Sequence, residues 1–111
     1  MTVSVEQRIS ADTLNQIVER IVAIAAPVKI ILFGSTARGE AHPNSDLDML
    51  IVKKEIIGQH DETLRLDRAL RDFMLPLDLI VVSEAQLNRY GRVPGTIYYR
   101  SLQEGRVLYA R

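Results

Sequence analysis

The chain has 111 residues, 47% hydrophobic and 25% charged, the make-up of one small globular domain rather than of a disordered, coiled-coil or collagen-like protein. Its 14 basic and 14 acidic side chains cancel, so no overall field draws it onto nucleic acid or an anionic membrane. The absence of cysteine excludes disulfides, thiolate metal sites and a cysteine nucleophile. The longest apolar stretch, Ile21–Val28, falls far short of the ~20 residues of a membrane span. The opening MTVSVEQR has no apolar core behind a basic start and does not read as a signal peptide. These features point to a soluble, cytoplasmic, single domain over residues 1–111, without repeat or linker.

A first helix starts near Ser10 or Asp12, both good N-caps; Leu14, Ile17, Val18, Ile21 and Ala25 recur at helical spacing, and Pro27 stops it. Val28–Phe33 is rich in β-branched residues and reads as a strand, broken by Gly34-Ser35. A short helical turn over Thr36–Arg38 leads into a polar loop, Gly39–Ser45. Asp46–Val52 is a second strand. His60–Phe73 is a second long helix, with Leu64, Leu66, Ala69, Leu70 and Phe73 as its apolar side. After Pro76 comes a third strand, Leu77–Val82. Ser83 caps a short helix ending at Gly91. Gly95–Gln103 forms a last helix closed by Gly105 as a C′ residue, and Val107–Tyr109 a short edge strand. Helices alternating with strands give an α/β (α+β) domain with one small sheet.

Charge is uneven. Residues 40–78 hold nine acids against five bases, whereas from Arg89 onward there are five arginines and only Glu104. This basic, tyrosine-bearing end is either a docking surface or simply a solvated helix face.

The chemistry concentrates between Leu32 and Val52. Asp46 and Asp48 are two apart in a strand, so both point to one face, with Cα atoms ~6.6 Å apart. Leu50 and Val52 continue that face, which makes it a core face with acids at its entry. The third strand repeats the pattern, Asp78 sharing its side with Ile80 and Val82. With the two strands as neighbours, about 4.8 Å apart, three carboxylates converge at one rim. Such groups repel one another, and a divalent cation relieves the repulsion; oxygen-only ligands favour magnesium or manganese over zinc.

Gly34-Ser35 supplies the complementary half. It follows an apolar strand and opens a helical turn, where backbone N–H groups and the serine hydroxyl can cradle a phosphate. Arg38, one turn on, adds a charge-assisted donor. Neither the lysine of a P-loop nor the G-x-G-x-x-G spacing of a dinucleotide site is present. Taken singly, Asp-x-Asp and Gly-Ser are ordinary turn and strand features; it is their coincidence that is informative.

Gly34-Ser35, ten residues, Asp46-x-Asp48 and a later strand Asp78 together resemble the nucleotidyltransferase superfamily of DNA polymerase β. More closely, the chain resembles the minimal nucleotidyltransferases, the MntA-type antitoxins encoded beside HEPN-domain ribonuclease toxins. The motifs span residues 28–82, and the Gly105–Tyr109 ending extends the likeness over nearly the whole chain. The resemblance implies a small mixed sheet flanked by helices. Gly34 and Ser35 would hold the β/γ phosphates of ATP, with Arg38 a weaker contact. Asp46 and Asp48 would bridge two Mg²⁺ ions, Asp78 completing the site of the ion nearest the acceptor and helping to deprotonate it. The implied activity is transfer of AMP to a hydroxyl, a tyrosine by expectation, of a cognate HEPN toxin. No room remains in 111 residues for separate acceptor domains. The alternatives are an antitoxin that neutralises by binding alone and an adenylyltransferase for a small molecule such as an aminoglycoside; assembly into a homo- or hetero-oligomer stays open. No membrane or direct nucleic-acid partner is expected.

Other polar residues are read as structural. His42 and His60 are exposed residues without ligand spacing, Lys53-Lys54 a solvated strand end, Tyr98 and Tyr99 packing residues of the last helix beside Arg100, and Met49 core on the side opposite the acids.

Overall fold

Ser10 starts the first helix as expected: its Oγ accepts a hydrogen bond from the Thr13 N–H at 3.1 Å. The structure, a computed structural model, describes residues 10–34 and 47–111. The expectations for the N-terminal 1–9, the Thr36–Arg38 turn, the 39–45 loop with His42, and Asp46 as first residue of a strand lie outside the described residues.

Helix α1 (Ala11–Ala25) buries Leu14, Ile17, Ile21 and Ala25, a single stripe at helical period. It ends where Ala26 turns left-handed (φ 46°) ahead of Pro27. Strands β1 (Lys29–Phe33) and β2 (Leu47–Lys53) follow. Helix α2 (Gln59–Ala69) buries Leu66 and is shorter than its sequence suggested: Arg71–Phe73 is a separate 3₁₀ turn. A long-range contact accompanies this early end. Arg20 Nη1, from α1, donates to the Ala69 carbonyl at 2.9 Å, and its guanidinium lies 4.4 Å from the centre of the Phe73 ring. Met74 then takes a left-handed conformation (φ 55°), and Pro76 leads into β3 (Leu77–Ser83).

Helix α3 (Glu84–Tyr90) opens on a capping box, Ser83 and Gln86 each bonding the other's backbone N–H. Helix α4 (Ile97–Glu104), capped by Thr96, starts two residues later than read from the sequence, and β4 (Arg106–Ala110) closes the described chain. Gly105 is the cap of α4, but not as a left-handed residue: its φ is −80°. Glycine is needed there for proximity. A Cβ would sit 2.1 Å from the Ser101 carbonyl oxygen and 2.4 Å from Ile31 Cγ2.

The four strands form one mixed sheet in the order β3-β2-β1-β4, with β2 and β3 parallel and the other pairs antiparallel. Helices α1 and α2 pack on one face, over Ile30, Leu32, Met49, Ile51 and Val81. On the other face Leu87 of α3 and Ile97 and Tyr98 of α4 pack over Ile31, Phe33, Leu50, Val52 and Val82. Burial on both faces explains why β1 and β2 read as unbroken apolar runs rather than alternating ones. Each fully buried aliphatic side chain contributes ~1.5–3 kcal/mol, so the fold rests on this double-sided sheet. Among the described residues no helix is long and apolar enough to cross a membrane.

Candidate active site

The register of the sheet decides what the acids can do. Phe33 of β1 pairs with Asp48 of β2, and Asp48 pairs with Asp78 of β3. Register partners share a face, so both carboxylates point to the α3/α4 side, about one strand spacing (~4.8 Å) apart. The apolar cover of that side begins two residues further along each strand, at Leu50 and Ile80. Asp48 is accordingly half-buried and Asp78 exposed.

Gly34 closes the site from the β1 side. It is buried, with φ +83°, and a Cβ built on it would come within 2.4 Å of Asp48 Oδ2. Backbone, and only backbone, fits against that carboxylate, and positive φ is strained for any side chain. The strand end thus delivers main chain to the Asp48 carboxylate, the close approach a phosphate-binding turn requires.

Like charges placed directly opposite in a sheet destabilise it. A divalent cation shared by the two carboxylates reverses that sign, and hard oxygen donors of this kind suit magnesium. Among the described residues no three His, Cys, Asp or Glu side chains gather at ligating distance. Asp48 and Asp78 are two of the three expected acids; Asp46, like Ser35 and Arg38, lies outside the described residues.

Several side readings resolve. Met49 is fully buried opposite the acids, and His60 is exposed. Tyr98 packs in the core with its ring centre 5.5 Å from that of Tyr90. Lys53 departs from expectation: it is not solvated but ion-paired with Glu62, both side chains about four-fifths buried. The reason is that α2 folds back over the end of β2.

Two basic features at the site end were not assigned to the site from the sequence. Arg106, read there as one of the five arginines of the basic end and as part of the Gly105–Tyr109 ending, pairs with Leu32, two residues before Gly34, because β4 runs antiparallel to β1. Arg68 and Arg71 rim a depression of about 1100 Å³ beside the start of β3. Nothing local marks them, since they look like any surface arginines of an amphipathic helix.

Comparison with known proteins adds to this geometry. Residues 12–107 match the model of the nucleotidyltransferase domain family. Over 84 residues the chain is 38% identical to the "Putative protein adenylyltransferase" of Methanocaldococcus jannaschii, covering 73% of this chain and 77% of that protein. The fold is similar to that of a "putative nucleotidyltransferase" from Sulfolobus solfataricus, with a TM-score of 0.63 at 23% identity over 90% of this chain and 79% of the other. It is also similar to a mutant of the toxin–antitoxin MntA-HpeT (TM-score 0.64, 18% identity, 87% and 73% covered). A toxin–antitoxin crystallised with AMP-PNP gives a TM-score of 0.57 at 20% identity, again over 87% and 73% of the two chains.

Proposed function

Because the chain belongs to the nucleotidyltransferase domain family, we propose that it is a protein adenylyltransferase acting as an antitoxin, which transfers AMP from ATP to a tyrosine hydroxyl of a HEPN-domain toxin. The observation that carries this reading is the pairing of Asp48 with Asp78, with the Gly34 backbone packed on Asp48. The likeness to the M. jannaschii protein supports a protein acceptor, and the likeness to the MntA-HpeT fold supports a toxin as that acceptor.

Asp48, with Asp46, would hold two magnesium ions, and Asp78 would complete the site of the ion nearer the acceptor. The all-oxygen donor set of Asp48 and Asp78, paired across neighbouring strands, fits such ions. When bound, magnesium supplies the positive charge that stabilises the attacking and leaving oxygens of an in-line displacement. Gly34 and Ser35 would offer backbone N–H groups, and Ser35 its hydroxyl, to the β/γ phosphates, with Arg38 adding charge. Asp78, on the outer strand, accepts the proton of the incoming tyrosine hydroxyl. The bond formed is tyrosine oxygen to α-phosphorus; the bond broken is α-phosphorus to the bridging oxygen of pyrophosphate, which leaves.

The test is incubation of the protein with ATP, Mg²⁺ and the product of the gene adjacent to its own, followed by mass spectrometry. Addition of AMP to a tyrosine, lost in Asp48→Asn, is the expected result. Neutralisation of the toxin that survives Asp48→Asn without any added AMP would replace catalysis by simple occlusion.

A further inference from the structure

The two edges of a sheet are where it can take up another chain, and in this sheet one edge is β3, the strand that carries Asp78. Which main-chain groups of β3 face outward follows from one hydrogen bond. The Leu47 N–H donates to the Pro76 carbonyl at 2.7 Å, so Asp78, Ile80 and Val82 direct their main chain toward β2. Leu77, Leu79, Val81 and Ser83 therefore direct theirs away from the sheet.

The outward groups are not treated alike. At the distal half of the strand, Gln59 Nε2 donates to the Val81 carbonyl at 2.7 Å, and Gln86 Oε1 accepts from the Ser83 N–H at 2.9 Å. Side chains thus seal the edge there, the usual protection of an edge strand. Among the described residues no side chain or loop bonds the outward groups of Leu77 and Leu79. Exposure follows the same gradient: Val81 is 0% exposed, Leu79 6%, Leu77 half-buried and Asp78 exposed. The open half of the edge is the half that flanks the candidate active-site carboxylate.

A second feature lies on the opposite side of the same stretch. Leu77 faces the α1/α2 side and, with Leu70, Leu75 and Met74, lines the depression of about 1100 Å³ whose rim carries Arg68 and Arg71. Asp72, also on the rim, is ion-paired with Arg20. The mouth is therefore left with two arginines against Asp67. Met74 is 88% exposed, an apolar side chain held out at this mouth by a left-handed backbone.

Resting on the adenylyltransferase reading above, we propose that the acceptor protein is held by strand addition: an extended segment pairs with the open edge at Leu77–Leu79 and sets its tyrosine opposite Asp78. Strand geometry makes the two features act together. A residue across from Asp78 shares its face and lies about 4.8 Å away, so its hydroxyl meets the carboxylates. The residues on either side of it point to the other face, toward the depression. Main-chain bonds supply the affinity and the alternate side chains the specificity. The apolar floor and the two arginines select an apolar residue on one side of the modified tyrosine and an acidic one on the other.

The experiment uses the full chain and the adjacent-gene product, without and with ATP. Amide hydrogen exchange without ATP is expected to show protection of Leu77 and Leu79 when the partner is added. Leu77→Pro removes an outward N–H at a strand start, where proline is tolerated. It is expected to raise the KM for the acceptor about fivefold to tenfold, the worth of one hydrogen bond, while the KM for ATP stays put. Arg71→Glu, on an exposed side chain, should raise the same KM without changing the melting temperature, which keeps the test independent of any folding defect in the proline variant. AMP transfer with no protection at Leu77–Leu79 and unchanged acceptor KM in both variants would overturn the edge proposal and leave the enzyme reading standing. Protection at that edge without AMP transfer would sustain the edge and remove the enzyme reading. Binding that protects only the α3/α4 face or β4 would overturn the edge outright.

Discussion

Gly34 and Asp48 are in contact at a point where no other residue type fits, since a Cβ on Gly34 would lie 2.4 Å from Asp48 Oδ2. Gly34→Ala must therefore displace the carboxylate and also strain the backbone at φ +83°. The strain alone costs ~1–2 kcal/mol, read as a lower urea midpoint. Displacing Asp48 is the larger functional effect: pyrophosphate release from ATP should fall at least 100-fold, the usual scale for misplacing a group by about 1 Å. A variant that keeps turnover while losing stability would show that the glycine serves the fold alone.

Asp78→Asn and Asp48→Asn separate the two carboxylates by their surroundings. Asp78 is exposed and its neutralisation removes a like charge opposite Asp48, so the melting temperature should hold or rise by at most about 3 °C, in line with surface substitutions worth ~0.5 kcal/mol or less. Both variants should bind Mg²⁺ more weakly by calorimetry. AMP transfer should be lost in each, even at Mg²⁺ concentrations that restore metal binding to Asp78→Asn. Undiminished Mg²⁺ affinity in both variants would separate the pair from the metal.

How much of this was legible beforehand depends on the range of the interaction. Ser10 and Ser83 announce their helices because capping is settled within three residues, and Ser83 with Gln86 forms the full reciprocal box. The faces of Asp48 and Asp78 follow from the two-residue period of strands, needing only that β2 and β3 be neighbours. That neighbourhood is a matter of tertiary pairing, as is the bond from Arg20 to Ala69, 49 residues away, that accompanies the early end of α2. Gly105 shows the same limit. Its position after a helix marks it as a C′ residue, and the Ser101 carbonyl that crowds it is local, whereas the second constraint, the Ile31 side chain, comes from a distant strand. The open edge at Leu77 has no local signature at all, because it depends on which strand ends up outermost.

Arg20 joins three partners at the α1/α2 corner: the Ala69 carbonyl, the Asp72 carboxylate and the Phe73 ring. The ion pair contributes little, since the Asp72 side chain is 67% exposed and water screens it. The cap and the cation–π contact count for more, and Arg20→Ala should cost ~1–2 kcal/mol in total. Arg20→Lys keeps the charge but cannot both stack on Phe73 and reach the carbonyl, so it should recover less than half of the loss. Full recovery in thermal denaturation would mean that charge alone matters at this corner.

Lys53 and Glu62 make the opposite kind of pair. Their side chains are 18% and 22% exposed, Glu62 Oε1 receives the ammonium, and Glu62 Oε2 is buried without a hydrogen-bond partner among the described residues. Lys53→Met then leaves a carboxylate largely out of water with nothing to offset its charge, a change expected to cost ~1–3 kcal/mol. Adding Glu62→Gln removes that charge, so the double variant should be more stable than Lys53→Met alone, the reverse of two independent losses. Urea denaturation of the four proteins in the cycle gives the coupling directly. Additive losses would show that water already reaches the pair. Turnover should be unchanged throughout, because Lys53 stands at the far end of β2 from Asp48, five residues or ~16 Å away along the strand.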